Sequence, residues 1–209
     1  MFSIARQNGK SHIALKKLKN NPEIKLISSN ADVISVLGIP YQKDYIRIAG
    51  MEENSVVDGE GVRFTIFTQG CVRNCPGCHN PQTHDTSKGV QIPLIELEKS
   101  ILANKPIIRG ITLSGGEPFL QPIPCLKLAE FAHENDLDVW IYTGYTIEEI
   151  LHSGDIERMN LLYAADVLVD GAYIEEKRDL TLQFRGSSNQ RVIDVKESLG
   201  NPTIILKLP

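Results

Sequence analysis

The segment Gly70-Cys71-Val72-Arg73-Asn74-Cys75-Pro76-Gly77-Cys78-His79-Asn80 places three of the chain's four cysteines in one short loop, at the spacing C-x3-C-x2-C. It directly follows Val62-Arg63-Phe64-Thr65-Ile66-Phe67-Thr68, an apolar run that reads as a strand. Three thiolates on one short loop at a strand end can converge on a single metal centre. A disulfide framework does not suit the pattern: three of the cysteines are clustered and the N-terminus has no apolar signal segment. In an intracellular protein such clustering points to metal binding.

The spacing alone leaves two centres open. Tetrahedral zinc takes a fourth ligand, and His79 or His84 lies near enough in sequence to complete a Cys3His site. An iron–sulfur cluster takes the thiolates one per iron, and three cysteines leave one iron free for catalysis. Cys125 does not join either set, because Cys125, Leu128, Ala129 and Ala132 share one apolar helix face. A buried core cysteine is the simplest reading there.

From Tyr45 onward, strands alternate with helical patterns. Tyr45–Gly50 and Val62–Thr68 read as strands, and Ser55–Gly61 as a polar turn. Residues 79–92 read as polar loop, and Leu94, Leu97 and Ile101 mark an amphipathic helix over Pro93–Asn104. Ile107–Leu113, Asp138–Tyr142, Val167–Val169, Arg191–Val195 and Thr203–Leu208 read as strands. Helices are expected around Cys125–Ala132, from the cap Thr146 to Leu151, and over Ile156–Ala164. This alternation predicts an α/β fold with a parallel sheet. The polar and glycine-rich groups all follow strands: the cysteines, Ser114-Gly115-Gly116-Glu117, Thr143-Gly144-Tyr145 and Asp170-Gly171. In parallel α/β sheets and barrels that edge binds ligands.

At 209 residues and 42% hydrophobic content the chain suits one domain with a small appendage. Residues 1–50 carry eight Lys/Arg against three Asp/Glu, whereas the whole chain has a net charge of −4, so the remainder is acidic. That balance gives no case for nucleic acid. No apolar run approaches the roughly 20 residues of a membrane span, and a cytoplasmic location is expected. Residues 1–43 read as an N-terminal extension, with a basic helix over Ser11–Leu18, a strand over Ile24–Ser28 and a helix over Ala31–Leu37. The main domain is residues 44–209.

The ordered motifs go further than spacing. C-x3-C-x2-C after a barrel's first strand resembles the radical S-adenosylmethionine (SAM) superfamily. Ser55-Val56-Val57-Asp58-Gly59, Phe67-Thr68-Gln69-Gly70-Cys71, Cys75-Pro76-Gly77-Cys78-His79-Asn80-Pro81, Ser114-Gly115-Gly116-Glu117-Pro118, Asp166–Gly171 and Arg185–Arg191 together resemble the activating enzymes of anaerobic (class III) ribonucleotide reductase, over about residues 45–209. Two positions depart from the pattern. Gly77 stands where many radical SAM enzymes carry an aromatic residue, and Glu60 stands where a D-G-P-G turn has proline.

The resemblance implies an incomplete TIM-like barrel of parallel β/α units. It implies Cys71, Cys75 and Cys78 as ligands of a [4Fe–4S] cluster, with SAM on the fourth iron. Reductive cleavage of SAM then gives a 5′-deoxyadenosyl radical, which takes a hydrogen atom from a glycine of the reductase. Gly77, Cys78 and His79 are expected at the adenine, Gly115 and Gly116 at the methionine end, and Glu117 at the SAM ammonium. Thr143 and Asp170 are placed near the ribose, or else cap turns. Arg185–Arg191 reads as a capped turn or as part of the mouth of the site. A flavodoxin-type reductant would supply the electron. Three alternatives stay open: an activase of another glycyl radical enzyme, a small-molecule radical SAM enzyme such as a deazaguanine synthase, and a zinc-stabilised binding module.

Overall fold

A computed structural model describes residues 44–208. The helices and strand expected within residues 1–43 lie outside the described residues. The fold is α/β, built on one eight-stranded sheet in the order β3-β1-β2-β4-β5-β6-β7-β8. Its strands are β1 Tyr45–Ser55, β2 Arg63–Thr68, β3 Val90–Pro93, β4 Gly110–Gly115, β5 Asp138–Tyr142, β6 Val167–Asp170, β7 Arg191–Asp194 and β8 Leu206–Leu208. The central four, β2, β4, β5 and β6, are parallel as expected. Both flanks run antiparallel to their neighbours: β1 to β2 and β3 on one side, β7 to β6 and β8 on the other.

The helices are α1 Leu94–Asn104, α2 Pro122–Glu134, α3 Ile147–His152, α4 Ile156–Tyr163 and α5 Val195–Leu199. Proline opens α2 at its first turn, where its missing N–H costs nothing. Thr146 caps α3 in a capping box with Glu149. Leu94, Leu97 and Ile101 are buried, as are Cys125, Leu128, Ala129 and Ala132. Cys125 is thus a core residue, and burial pushes its thiol well above the ordinary range.

Two expectations change. Residues 90–93 form an edge strand paired with β1 rather than loop, and the polar turn begins only after Ser55 because β1 runs that far. The turn then folds back under the sheet. Gly59 lies against the Trp140 ring, where an added Cβ would stand 2.9 Å from Cδ2. Glu60, in the position where proline was expected, pairs with Arg109 at 3.2 Å. Beside it, Arg63 is fully buried on β2 and bonded to Asp138, to Thr112 Oγ1 and to the Ile111 carbonyl. This polar cluster closes the end of the sheet opposite the cysteines.

Asp166 secures the start of β6. It accepts from Val139 N at 2.8 Å, from His133 Nε2 at 2.8 Å and from Lys196 Nζ. Burial alone would raise its pKa, but these three partners outweigh that and hold it well below the usual carboxylate range. Its contribution is therefore complete above the unfolded carboxyl pKa of about 4 and is lost as pH falls toward the folded value. Asp166→Asn is expected to cost about 1–3 kcal/mol at pH 7. It should also flatten the acid limb of stability below about pH 4, measured by urea unfolding across pH.

Candidate active site

Because β2, β4, β5 and β6 are parallel, their C-terminal ends lie along one edge, and all four expected groups emerge there. Gly70 turns the chain out of β2 with φ +103°, a conformation that suits glycine. The base of the cysteine loop is pinned: Gly70 N donates to the Thr83 carbonyl at 2.8 Å and Cys71 N to the His84 carbonyl at 3.1 Å. Asn74 (φ +46°) and Gly77 (φ +70°) then curl it back on itself. Cys78 N donates to the Cys75 carbonyl at 3.2 Å, and Asn80 N to Cys78 Sγ at 3.4 Å. All three loop thiols are free and half-buried. Burial raises the Cys71 thiol pKa, against hydrogen bonds from the Arg73 and Asn74 backbone.

The Ser114–Glu117 loop shares this joint. Gly116 N donates to the Thr68 carbonyl and Glu117 N to the Gly70 carbonyl, both at 2.8 Å. Here the bareness of the glycines serves the fold itself. A Cβ on Gly116 would lie 2.3 Å from the Gly70 oxygen, and one on Gly115 would lie 2.6 Å from the Phe67 Cα.

Glu117 is buried, at 1% exposure, and is not a solvated loop carboxylate. Oε1 accepts from Thr143 Oγ1 at 2.9 Å and from Phe119 N at 3.1 Å, while Oε2 accepts from Gly144 N at 2.9 Å. Thr143 in turn accepts from Tyr145 N at 3.1 Å, a turn cap. Asp170 is also fully buried. It accepts from Ile147 N at 2.8 Å and from Arg191 Nε at 2.9 Å. Arg191 continues as a fork to Glu148 at 2.9 and 2.7 Å, which holds that carboxyl down to about 2. Glu117, Thr143 and Asp170 thus meet one another's loops, which sequence spacing could not reveal.

Around the third cysteine, His79 is exposed, with its ring 4.9 Å from that of Tyr173. Tyr173 donates to Glu175 Oε2 at 2.8 Å, and that oxygen fills the space beside Gly77 where a side chain would begin. Arg185–Arg191 is a capped turn. Gln190 Oε1 accepts from Gly186 N at 2.9 Å, and Asn189 Nδ2 donates to the Ala172 carbonyl at 2.8 Å. It borders the site through Gly186, where a Cβ would lie 2.9 Å from His79 Cε1.

A protein-family model described as "4Fe-4S single cluster domain" matches residues 57–193. The anaerobic ribonucleoside-triphosphate reductase-activating protein of Haemophilus influenzae is 37% identical over 144 residues, 65% of this chain and 89% of that protein. The chain belongs to this family of reductase-activating proteins. The Salmonella typhi relative is 39% identical over 145 residues (66% and 91% of the two chains), and the Escherichia coli relative 37% over 144 residues (66% and 91%). Among solved structures, QueE from Escherichia coli aligns with a TM-score of 0.38 at 19% identity over 49% of this chain and 54% of that one, too slight a likeness to bear on fold or function.

The donor set suits the family's cluster. A [4Fe–4S] cluster takes one thiolate at each of several irons. Three free, half-buried thiols on a loop pinned at its base meet that requirement. Among the described residues no helix is long and apolar enough to cross a membrane.

Proposed function

We propose that this chain activates an anaerobic ribonucleotide reductase by making it a glycyl radical enzyme. Cys71, Cys75 and Cys78 would hold a [4Fe–4S] cluster, and SAM would bind beside it. When bound, the cluster would supply the electron for reductive cleavage of SAM, the radical chemistry by which a reductase glycine would lose a hydrogen atom.

The protein's share is binding, orientation and exclusion of water. Gly77 and His79 flank Cys78 and receive the adenine. Gly115 and Gly116 keep the backbone bare beside the methionine end. Glu117, Thr143 and Asp170 act from behind: their hydrogen bonds fix the loops that touch SAM, so their effect on the ribose and ammonium is one of placement. The sheet is read as an incomplete barrel, open along one side for a reductase loop. Residues 44–209 are the catalytic core and 1–43 a separate extension. A flavodoxin-type protein supplies the electron, and the work is done in the cytoplasm.

One observation carries this reading: the cysteine loop and the Ser114–Glu117 loop spring from one joint, Glu117 N to Gly70 O at 2.8 Å, in a chain of this family. Anaerobic incubation with the reductase of the same genome, SAM and a reductant should yield a glycyl radical doublet by electron paramagnetic resonance (EPR) and an active reductase. Accumulation of 5′-deoxyadenosine with the reductase left radical-free would refute the assignment of substrate. A radical formed instead on another glycyl radical enzyme would favour the alternative activase.

A further inference from the structure

Arg73 lies between the first two cysteines, yet its side chain leaves the loop. Nη2 donates to Glu149 Oε2 at 2.7 Å. The guanidinium carbon sits 4.2 Å from the centroid of the Tyr145 ring. The stem packs on Gly144, where an added Cβ would stand 3.0 Å from Arg73 Cγ. Each partner is itself fixed. Glu149 accepts from Thr146 N at 2.7 Å within the capping box. Arg158 is a second cation at the Tyr145 ring, 5.0 Å from its centroid. Gly144 is held by Glu117. An exposed ion pair alone contributes little. Here the same guanidinium also lies over an aromatic ring and covers backbone, a combination that suits a planar fork better than an ammonium. Arg73 Nε remains buried without a partner among the described residues, which leaves one donor unspent.

The strand-end turn Thr143-Gly144-Tyr145 is therefore a shared post. Glu117 ties the Ser114–Glu117 loop to it, and Arg73 ties the cysteine loop to it. We infer that Arg73 is the positioning residue of the cysteine loop, fastening the Cys71–Cys75 segment to Tyr145 and Glu149, and that its fixed charge makes the cluster on that loop easier to reduce. The inference rests on the proposed function in one respect, that this loop holds an iron–sulfur cluster. An added electron makes the cluster more negative; Glu149 at 2.7 Å offsets part of the guanidinium's charge, and removing the guanidinium would leave that carboxylate unpaired beside the loop, so both changes disfavour the reduced state.

Wild type, Arg73→Met, Arg73→Lys and Glu149→Gln would be reconstituted anaerobically. Iron per chain, midpoint potential by EPR-monitored titration and the rate of cluster loss in limiting oxygen would then be measured. Thermal unfolding of the apo-proteins identifies any variant that fails to fold. Arg73→Met is expected to take up a cluster, to titrate at a more negative potential and to lose the cluster about tenfold faster, the effect of removing one coupled contact. Arg73→Lys should keep the wild-type potential while losing the cluster as fast as Arg73→Met, which separates charge from clasp. Glu149→Gln should also lose the cluster faster. A wild-type potential and lifetime in Arg73→Met would overturn the inference while leaving the cluster assignment intact. Failure of the wild type itself to hold a cluster would overturn both.

Discussion

Cys78→Ala is expected to abolish SAM cleavage and reductase activation while leaving the protein folded. Cys78 is half-buried, and its sulfur accepts a long hydrogen bond from Asn80 N at 3.4 Å. Its removal opens no core cavity, so apo-protein stability should change by no more than about 0.5–1 kcal/mol. Two thiolates would remain, and a cubane deprived of a third protein ligand has no fixed position beside SAM. The readouts are iron content, visible absorption and 5′-deoxyadenosine formation, all of which should fall to background. Cys125→Ala is the matching control. That thiol is fully buried on α2, so its loss should cost about 1–2 kcal/mol of packing and leave iron content at the wild-type level. A Cys125 variant that loses iron while folded would move the fourth cysteine into the site.

Glu117→Ala is expected to destabilise the fold strongly. The carboxylate is buried and takes donors from Phe119, Thr143 and Gly144. Alanine would strand all three and leave a cavity at the joint of the Ser114–Glu117 loop and β5. Each orphaned buried donor costs about 1–3 kcal/mol, and relaxation of the loop recovers part of that. A net loss of about 3–5 kcal/mol follows, the range for removing one partner of a buried charged cluster.

Glu117→Gln keeps one acceptor oxygen but turns an amide NH2 toward a donor, and should fall between. Burial drives the Glu117 carboxyl pKa upward, opposed by Gly144, Phe119, Thr143 and the nearby Arg73 charge. A carboxyl whose folded pKa is raised contributes most below the unfolded value of about 4.3, and that contribution declines as pH rises through the folded pKa. The glutamine variant should lack this decline. Denaturant unfolding from pH 4 to 8 reads both effects. A Glu117→Ala protein as stable as wild type would remove Glu117 from the frame of the site.

Much of the site's edge was legible from sequence because it depends on local signals. A strand followed by glycine and cysteine reads as a strand end, and the parallel register places four such ends together. The buried helix face bearing Cys125 was equally plain, since a 3.6-residue period is visible without tertiary knowledge. What escaped was long-range pairing. Val90–Pro93 is only four residues long and becomes a strand because β1 offers it an edge. Thr143 and Glu117 are 26 positions apart, so their bond, and the burial that makes it matter, cannot be read from either motif. Arg73 carries no signal in the sequence beyond its place between two cysteines. Its role comes from Tyr145 and Glu149, more than 70 positions away. Glu60 departs from the expected turn without disrupting it, because Arg109 gives its carboxylate a partner.

The most direct test of the central claim is EPR of the anaerobically reconstituted, reduced protein, with and without SAM, with 5′-deoxyadenosine assayed in the same samples. The account predicts a reduced-cluster signal that shifts when SAM is added, together with 5′-deoxyadenosine formation that requires Cys71, Cys75 and Cys78. A protein that takes up no iron–sulfur cluster and instead holds one zinc ion tightly would contradict it, and the cysteine loop would then be a structural zinc site.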